Sequence, residues 1–262
     1  MQMKIKDINV HFEITGRQSA PVVICSHCLA GSTRIWDPQM QALQENYRVL
    51  VYDVRGHGQT SAPEGDYSMD LLAEDALALM DTMEIGQAHF MGISMGGMIG
   101  QTLALKYPER ITGLILCDTA SRVPADAGPV WEERIAAAES QGMAALADAT
   151  LERWLSPEFR EQYPDTTQKI REIVLSTPVS GFAGCGRAIA GFDVHDRLPQ
   201  LSAPTLIMVG ENDPGTPVEA ARQIHGQIRG SRLEVLKRAF HLSNVEAAES
   251  FNTALRDFLE RI

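Results

Sequence analysis

The sequence predicts an α/β protein: one mostly parallel sheet flanked by helices, with a helical cap inserted after the sixth strand. Three observations carry that expectation. Short apolar runs bounded by Gly, Pro or polar residues recur at 22–26, 49–54, 89–93, 111–117 and 205–210. Continuous apolar runs of this length mark strands covered on both faces. Segments of helical period follow most of them, at 71–83, 98–107, 218–228 and 247–259, and strand–helix alternation implies a parallel sheet. The alternation then breaks. From Ala120 to about Leu201 no strand run interrupts five helical patterns, at 130–139, 143–154, 157–162, 165–175 and 181–190.

Taken in order, the opening MQMKIKDINVHFEITG interleaves polar and apolar residues and reads as two strands, without the basic-then-apolar order of a signal peptide. The break is flanked by loop residues, Pro124, Asp126, Gly128 and Pro129 before it and Pro199, Ser202 and Pro204 after it. The expected division is therefore a core of residues 1–120 and 201–262 and a cap of residues 121–200. Open parallel sheets bind ligands outside the carboxyl ends of their strands, so a cap there encloses the crevice and keeps water out. A last strand-like run, 233–236, precedes the final helix.

The 262 residues are 44% hydrophobic and 22% charged, an ordinary globular balance. Thirty-four Asp and Glu against 23 Lys and Arg give a net charge of −11, which argues against nucleic-acid or anionic-membrane partners. No apolar run is long enough for a transmembrane helix. Four cysteines are no disulfide framework; Cys25 and Cys117 lie in apolar runs and read as buried thiols, as in a reducing cytoplasm. The pattern sets no oligomeric state.

The motif that carries chemistry is Gly92-Ile93-Ser94-Met95-Gly96, a G-x-S-x-G between the strand-like AHFMGI and the helix-like GMIGQTLALKY. A sharp strand-to-helix turn exposes the serine oxygen, and the helix N-terminus offers N–H groups to a developing oxyanion. The bland alternative is a glycine-rich turn with an incidental serine. A serine nucleophile needs a base, and the chain order nucleophile, acid, histidine leaves His195, His225 and His241. His225 falls within a helical pattern and His195 at the end of the insertion. His241 sits in a loop before the last helix and is the expected base. The expected acid is Asp213 in Gly210-Glu211-Asn212-Asp213, with Glu211 and Asp118 as rival carboxylates. The oxyanion donors are expected to be the N–H groups of Met95 and of Leu29 in the loop Ser26–Gly31, with Cys28 as the alternative to Leu29. His27 is expected to hydrogen-bond the loop backbone. Asp53-Val54-Arg55-Gly56-His57-Gly58 reads as a structural loop, its aspartate accepting backbone or Arg55 hydrogen bonds, and His57 is not the expected base. Cys25-x-x-Cys28 has no partner pair at zinc spacing, and no phosphate-binding glycine fingerprint is present, so neither metal nor cofactor is expected.

Together the segments HCLAGS, DVRGHG, GISMGG, GEND and FHLSNVE resemble the α/β-hydrolase superfamily. The longer stretches STRIWDPQ, GISMGGMIGQTLALKYPERITGLILCDTA, GMAALADATLERWL and HLSNVE are similar to the 3-oxoadipate enol-lactonase family. The resemblance implies an α/β-hydrolase fold and a cofactor-independent serine hydrolase with Ser94, Asp213 and His241 as nucleophile, acid and base. The implied reaction opens a small carboxylated enol-lactone in aromatic catabolism through an acyl-serine. A broad carboxylesterase, a carbon–carbon bond hydrolase with the same triad, or a ligand-binding receptor on the same scaffold are the alternatives. Where the family has Asn-Ser-Leu-Gly, this chain has His27-Cys28-Leu29-Ala30, which changes the pocket wall. A substrate carboxylate calls for a cation. Arg153 beside Trp154 resembles the family's Arg-Trp pair, and Arg134 near Trp131 is a second candidate. The alternative is surface pairing of these arginines with Glu133 or Glu152. Trp36, Trp131 and Trp154 are expected as ligand wall or as core.

Overall fold

The computed structural model describes residues 1–262, the side chain of Ala125 excepted. Eight strands form one sheet: β1 (Gln2–Ile5), β2 (Ile8–Thr15), β3 (Val22–Ser26), β4 (Arg48–Tyr52), β5 (Ala88–Ile93), β6 (Ile111–Cys117), β7 (Thr205–Gly210) and β8 (Arg232–Leu236). Their spatial order is β1-β2-β4-β3-β5-β6-β7-β8. The first two strands join antiparallel, and every pairing from β4 to β8 is parallel. Every residue of β5 and β7 is buried, which is why those stretches read as unbroken apolar runs. In register, Ser26 lies against Gly92, Ile93 against Cys117, Cys117 against Met208 and Gly210 against Leu236. The carboxyl ends of these strands thus lie side by side, and the segments that follow them meet at one edge of the sheet.

Eleven α-helices complete the chain: α1 (Asp37–Leu43), α2 (Met69–Thr82), α3 (Met95–Lys106), α4 (Gly128–Gln141), α5 (Ala144–Trp154), α6 (Pro157–Gln162), α7 (Pro164–Ser176), α8 (Val179–Ala190), α9 (Val218–Gln227), α10 (Ser243–Glu246) and α11 (Ala248–Leu259). Local chemistry accounts for their form. Ser68 caps α2, its Oγ accepting the Leu71 N–H at 3.1 Å, a contact that stabilises a helix by about 1 kcal/mol. In α11, Phe251, Leu255, Phe258 and Leu259 fall on one buried stripe. Helix α3 starts at Met95, three residues earlier than its period predicts, because Gly96 and Gly97 weaken the apolar signal of its first turn. Cys25 and Cys117 are buried free thiols, as are Cys28 and Cys185. No single helix among the described residues is long and apolar enough to cross a membrane.

Helices α4 to α8 occupy the stretch between β6 and β7. The chain leaves and re-enters the sheet side by side: Val123 N–H donates to Phe192 O at 2.8 Å, Val194 N–H to Ser121 O at 2.9 Å, and Ser121 Oγ meets His195 Nδ1 at 2.9 Å. A second junction is bare backbone. A Cβ on Gly181, in α8, would lie 1.9 Å from Gly56 O, so the loop after β4 and this helix touch main chain to main chain. In that loop Asp53 accepts the N–H groups of Thr33 and Gln59, whereas Arg55 turns away to Asp7 and Asp75. The expected backbone role of Asp53 is present and its Arg55 partner is not.

Candidate active site

Ser94 stands between β5 and α3 with φ 55° and ψ −116°. Left-handed backbone at a serine costs roughly 1–3 kcal/mol and persists only where its surroundings impose it. Here Ser94 N–H donates to Cys117 O at 2.9 Å, and Ser94 O accepts from Gly97 N–H at 2.9 Å and Thr119 Oγ1 at 2.7 Å. The flanking glycines are steric requirements. A Cβ on Gly92 would lie 2.0 Å from Gly96 O, and one on Gly96 would lie 2.0 Å from Ser26 O.

His241 and Asp213 come together. Asp213 Oδ2 lies 2.8 Å from His241 Nδ1, which makes Nδ1 the protonated nitrogen and leaves Nε2 as the free lone pair. The other carboxylate oxygen accepts the N–H groups of Gly215 at 2.7 Å and Thr216 at 3.1 Å, and Thr216 Oγ1 donates to Oδ2 at 2.6 Å. Burial pushes the Asp213 carboxyl up, but the adjacent imidazole and these hydrogen bonds outweigh it and hold the group below the usual carboxylate range. For His241 burial pushes down, and the Asp213 charge outweighs that and raises the imidazole above its ordinary value. The rivals are elsewhere. Glu211 is bound by Lys237 and the Arg238 N–H, His225 by Ser231, and His195 by Ser121. Asp118 is buried and bound to Gly210 and Ser243.

The loop after β3 is pinned by two imidazoles. His27 Nδ1 donates to Cys28 O at 2.7 Å and its Nε2 accepts Val54 N–H at 2.9 Å. His57 Nε2 accepts Ala30 N–H at 2.9 Å and its Nδ1 donates to Arg55 O at 3.2 Å. Both rings are fully buried; burial and the neighbouring His27 push His57 down to about 3. His27 meets its backbone expectation, whereas the tie from His57 across to Ala30 leaves no trace in the sequence. Ala30, where the resemblance has glycine, sits at φ 59°.

Ser94, His241, Leu29 and Cys28 open on one cavity of about 360 Å³. Trp131, Arg134, Arg153 and Trp154 line it too. Trp36 does not: its side chain is fully buried, so the ligand-wall expectation fails there. The arginine expectation of surface pairing also fails. Arg134 lies over Trp131, 4.5 Å from the ring centre, and burial together with the like charge of Arg153 holds it down to about 10. Burial lowers Arg153 as well, and no carboxylate stands against either among the described residues. Arg122, half paired with Asp196 at 3.7 Å, is a third cation at the wall that the sequence did not signal. Among the described residues no cluster of three His, Cys, Asp or Glu is placed to hold a metal ion.

The profile of the α/β-hydrolase fold matches residues 21–248. The chain is 36% identical over 256 residues to 3-oxoadipate enol-lactonase 2 of Acinetobacter baylyi, covering 98% of this chain and 95% of that one. The crystal structure of the enol-lactonase from Burkholderia xenovorans LB400 superposes with a TM-score of 0.96 at 36% identity, covering 99% of this chain and all of that one. A thermophilic esterase from Thermogutta terrifontis, solved with malate bound, superposes with a TM-score of 0.94 at 30% identity, covering 100% of this chain and 98% of that one. The chain therefore belongs to the α/β-hydrolase family, a hydrolase similar over nearly its whole length to 3-oxoadipate enol-lactonases.

Proposed function

We propose that the protein opens a small enol-lactone bearing a free carboxylate, of the 3-oxoadipate enol-lactone type, through an acyl-enzyme on Ser94. One observation carries the reading: the serine of a strained turn and a histidine paired with Asp213 open on the same cavity as two arginines without carboxylate partners. His241 Nε2 takes the Ser94 proton as Oγ attacks the lactone carbonyl, and Asp213 steadies the imidazolium. The N–H groups of Met95 and Leu29 receive the oxyanion, a donor pair whose members each contribute about 100–1000-fold in such sites. The ring oxygen leaves as an enolate, takes from His241 the proton that becomes the enol O–H, and the enol relaxes to a ketone while still tethered to the acyl group. His241 then activates water to free Ser94. Arg134 and Arg153 hold the substrate carboxylate, and α4 to α8 act as the cap that keeps water from the crevice. The names of the Acinetobacter and Burkholderia relatives support the lactone. Such a substrate places the enzyme in the breakdown of aromatic compounds.

The test is loss of enol-lactone absorbance with wild type and Ser94→Ala, beside p-nitrophenyl acetate. Efficient lactone opening that Ser94→Ala abolishes, with weak ester cleavage, is the expected result. Strong ester cleavage with weak lactone opening reduces the reading to a carboxylesterase. Activity that survives Ser94→Ala removes the mechanism.

A further inference from the structure

The turn after β6 carries a buried carboxyl group that the proposed chemistry leaves unused. Asp118 follows Cys117 directly, is fully buried, and has φ 43°. That backbone costs roughly 1–2 kcal/mol in most residues, and Asp and Asn bear it best. It allows Asp118 N–H to donate to Met208 O of β7 at 2.8 Å while the side chain reaches past the strand end. The two carboxyl oxygens are then divided. Oδ1 accepts Gly210 N–H at 2.8 Å, and Oδ2 pairs with Ser243 Oγ. Gly210 ends β7, three residues before Asp213, and Ser243 follows His241 by two. One side chain therefore touches both segments that carry the His–acid pair, without lining the cavity itself.

We propose that Asp118 is a positioning residue: by gripping Gly210 and Ser243 it sets the Asp213–His241 pair at the angle from which His241 serves Ser94. The inference rests on the triad reading above. The grip depends on hydrogen bonds rather than on charge. The charged and titratable groups facing Asp118 are Asp213 and His241 from the two loops, Cys117 on its own strand and Cys28 from the loop after β3. Burial and the Asp213 charge push its carboxyl well above the usual range. Ionised, Asp118 accepts from Ser243; protonated, it donates to Ser243; in both forms Gly210 N–H keeps its acceptor. An asparagine reproduces the pattern, with Oδ1 for Gly210 and Nδ2 for Ser243 Oγ, and tolerates the left-handed backbone.

The rate at which a fluorophosphonate labels Ser94, followed by mass spectrometry, tests this whatever the natural substrate. It is read beside kcat and KM for p-nitrophenyl acetate and the melting temperature of each variant. Wild type labels at Ser94 and Ser94→Ala does not. Asp118→Ala slows labelling and kcat by about 10–100-fold with KM within about threefold, the scale on which small misplacements of a base act. Ser243→Ala, which cuts only the arm to His241, slows both by about 3–10-fold, and Asp118→Asn stays within about threefold of wild type. A folded Asp118→Ala at the wild-type rate overturns the proposal. So does an asparagine variant as slow as alanine, which would make the negative charge the active feature. Should Asp118→Ala not fold, Ser243→Ala decides: the wild-type rate overturns the grip, a slowed rate upholds it. A wild type that is not labelled at Ser94 brings down the triad reading and the grip with it, a result distinct from all of these.

Discussion

Acid should loosen the loop after β3, and His57 sets where that begins. Its Nε2 accepts Ala30 N–H at 2.9 Å, so a proton on that nitrogen would set one N–H against another in a fully buried site. The folded imidazole is held down to about 3 against an ordinary value of 6.5. With the folded value depressed, the unfolded chain binds more protons between these limits, and stability falls as pH drops from about 6.5 toward 3. Near pH 5, about 1.5 pH units below the unfolded value, the loss at 1.36 kcal/mol per unit is about 2 kcal/mol. Urea unfolding of wild type and His57→Gln, near pH 7 and near pH 5, reads it out. The variant begins lower near pH 7 by about 1–3 kcal/mol, because it disturbs a buried hydrogen bond. Wild type then loses about 2 kcal/mol more than the variant on going to pH 5. Equal losses in the two proteins would refute the reasoning, since every other titrating group is common to both.

Other outcomes follow from the same coordinates. Ala30→Gly relieves the backbone at φ 59° and stabilises the protein by about 0.5–1 kcal/mol after the extra chain entropy of glycine, seen as a melting temperature about 2 °C higher. Gly96→Ala drives a methyl to 2.0 Å from Ser26 O and costs more than about 4 kcal/mol, measurable as loss of soluble, cooperatively melting protein. Arg134→Met and Arg153→Met each raise KM for a carboxylated lactone by about 10–100-fold while leaving KM for a neutral ester within about threefold. The acid limb of kcat/KM has its midpoint above 6.5, because Asp213 raises His241 and only the neutral imidazole can take the serine proton; a midpoint below 6.5 contradicts the pairing.

The features legible in the sequence are those set by short-range pattern. Apolar runs of six or seven residues between turn residues are too short for helices, so β5, β6 and β7 stand where their residues predict. Ser94 was legible because a strand, a glycine on either side and a helix make a local signature. His241 and Asp213 were legible through chain order and loop placement. What stayed hidden depends on contacts between distant residues. Nothing near His57 announces Ala30, 27 positions away, and nothing near Asp118 announces Gly210 or Ser243. Trp36 failed for the same reason: an aromatic beside a loop is wall or core according to which elements cover it, and here it is fully buried. Arg134 and Arg153 line the cavity, and their lack of carboxylate partners is a property of packing alone.

The contact of Gly56 with Gly181 bears on exchanging parts between related chains. Any graft that replaces α4 to α8 brings its own residue to position 181, and a methyl there would already meet Gly56 O at 1.9 Å. The two glycines form one steric unit shared by segments 125 residues apart. A chimera that carries a larger residue at either position would push α8 and the loop after β4 apart, whatever chemistry the transplanted segment was chosen to supply.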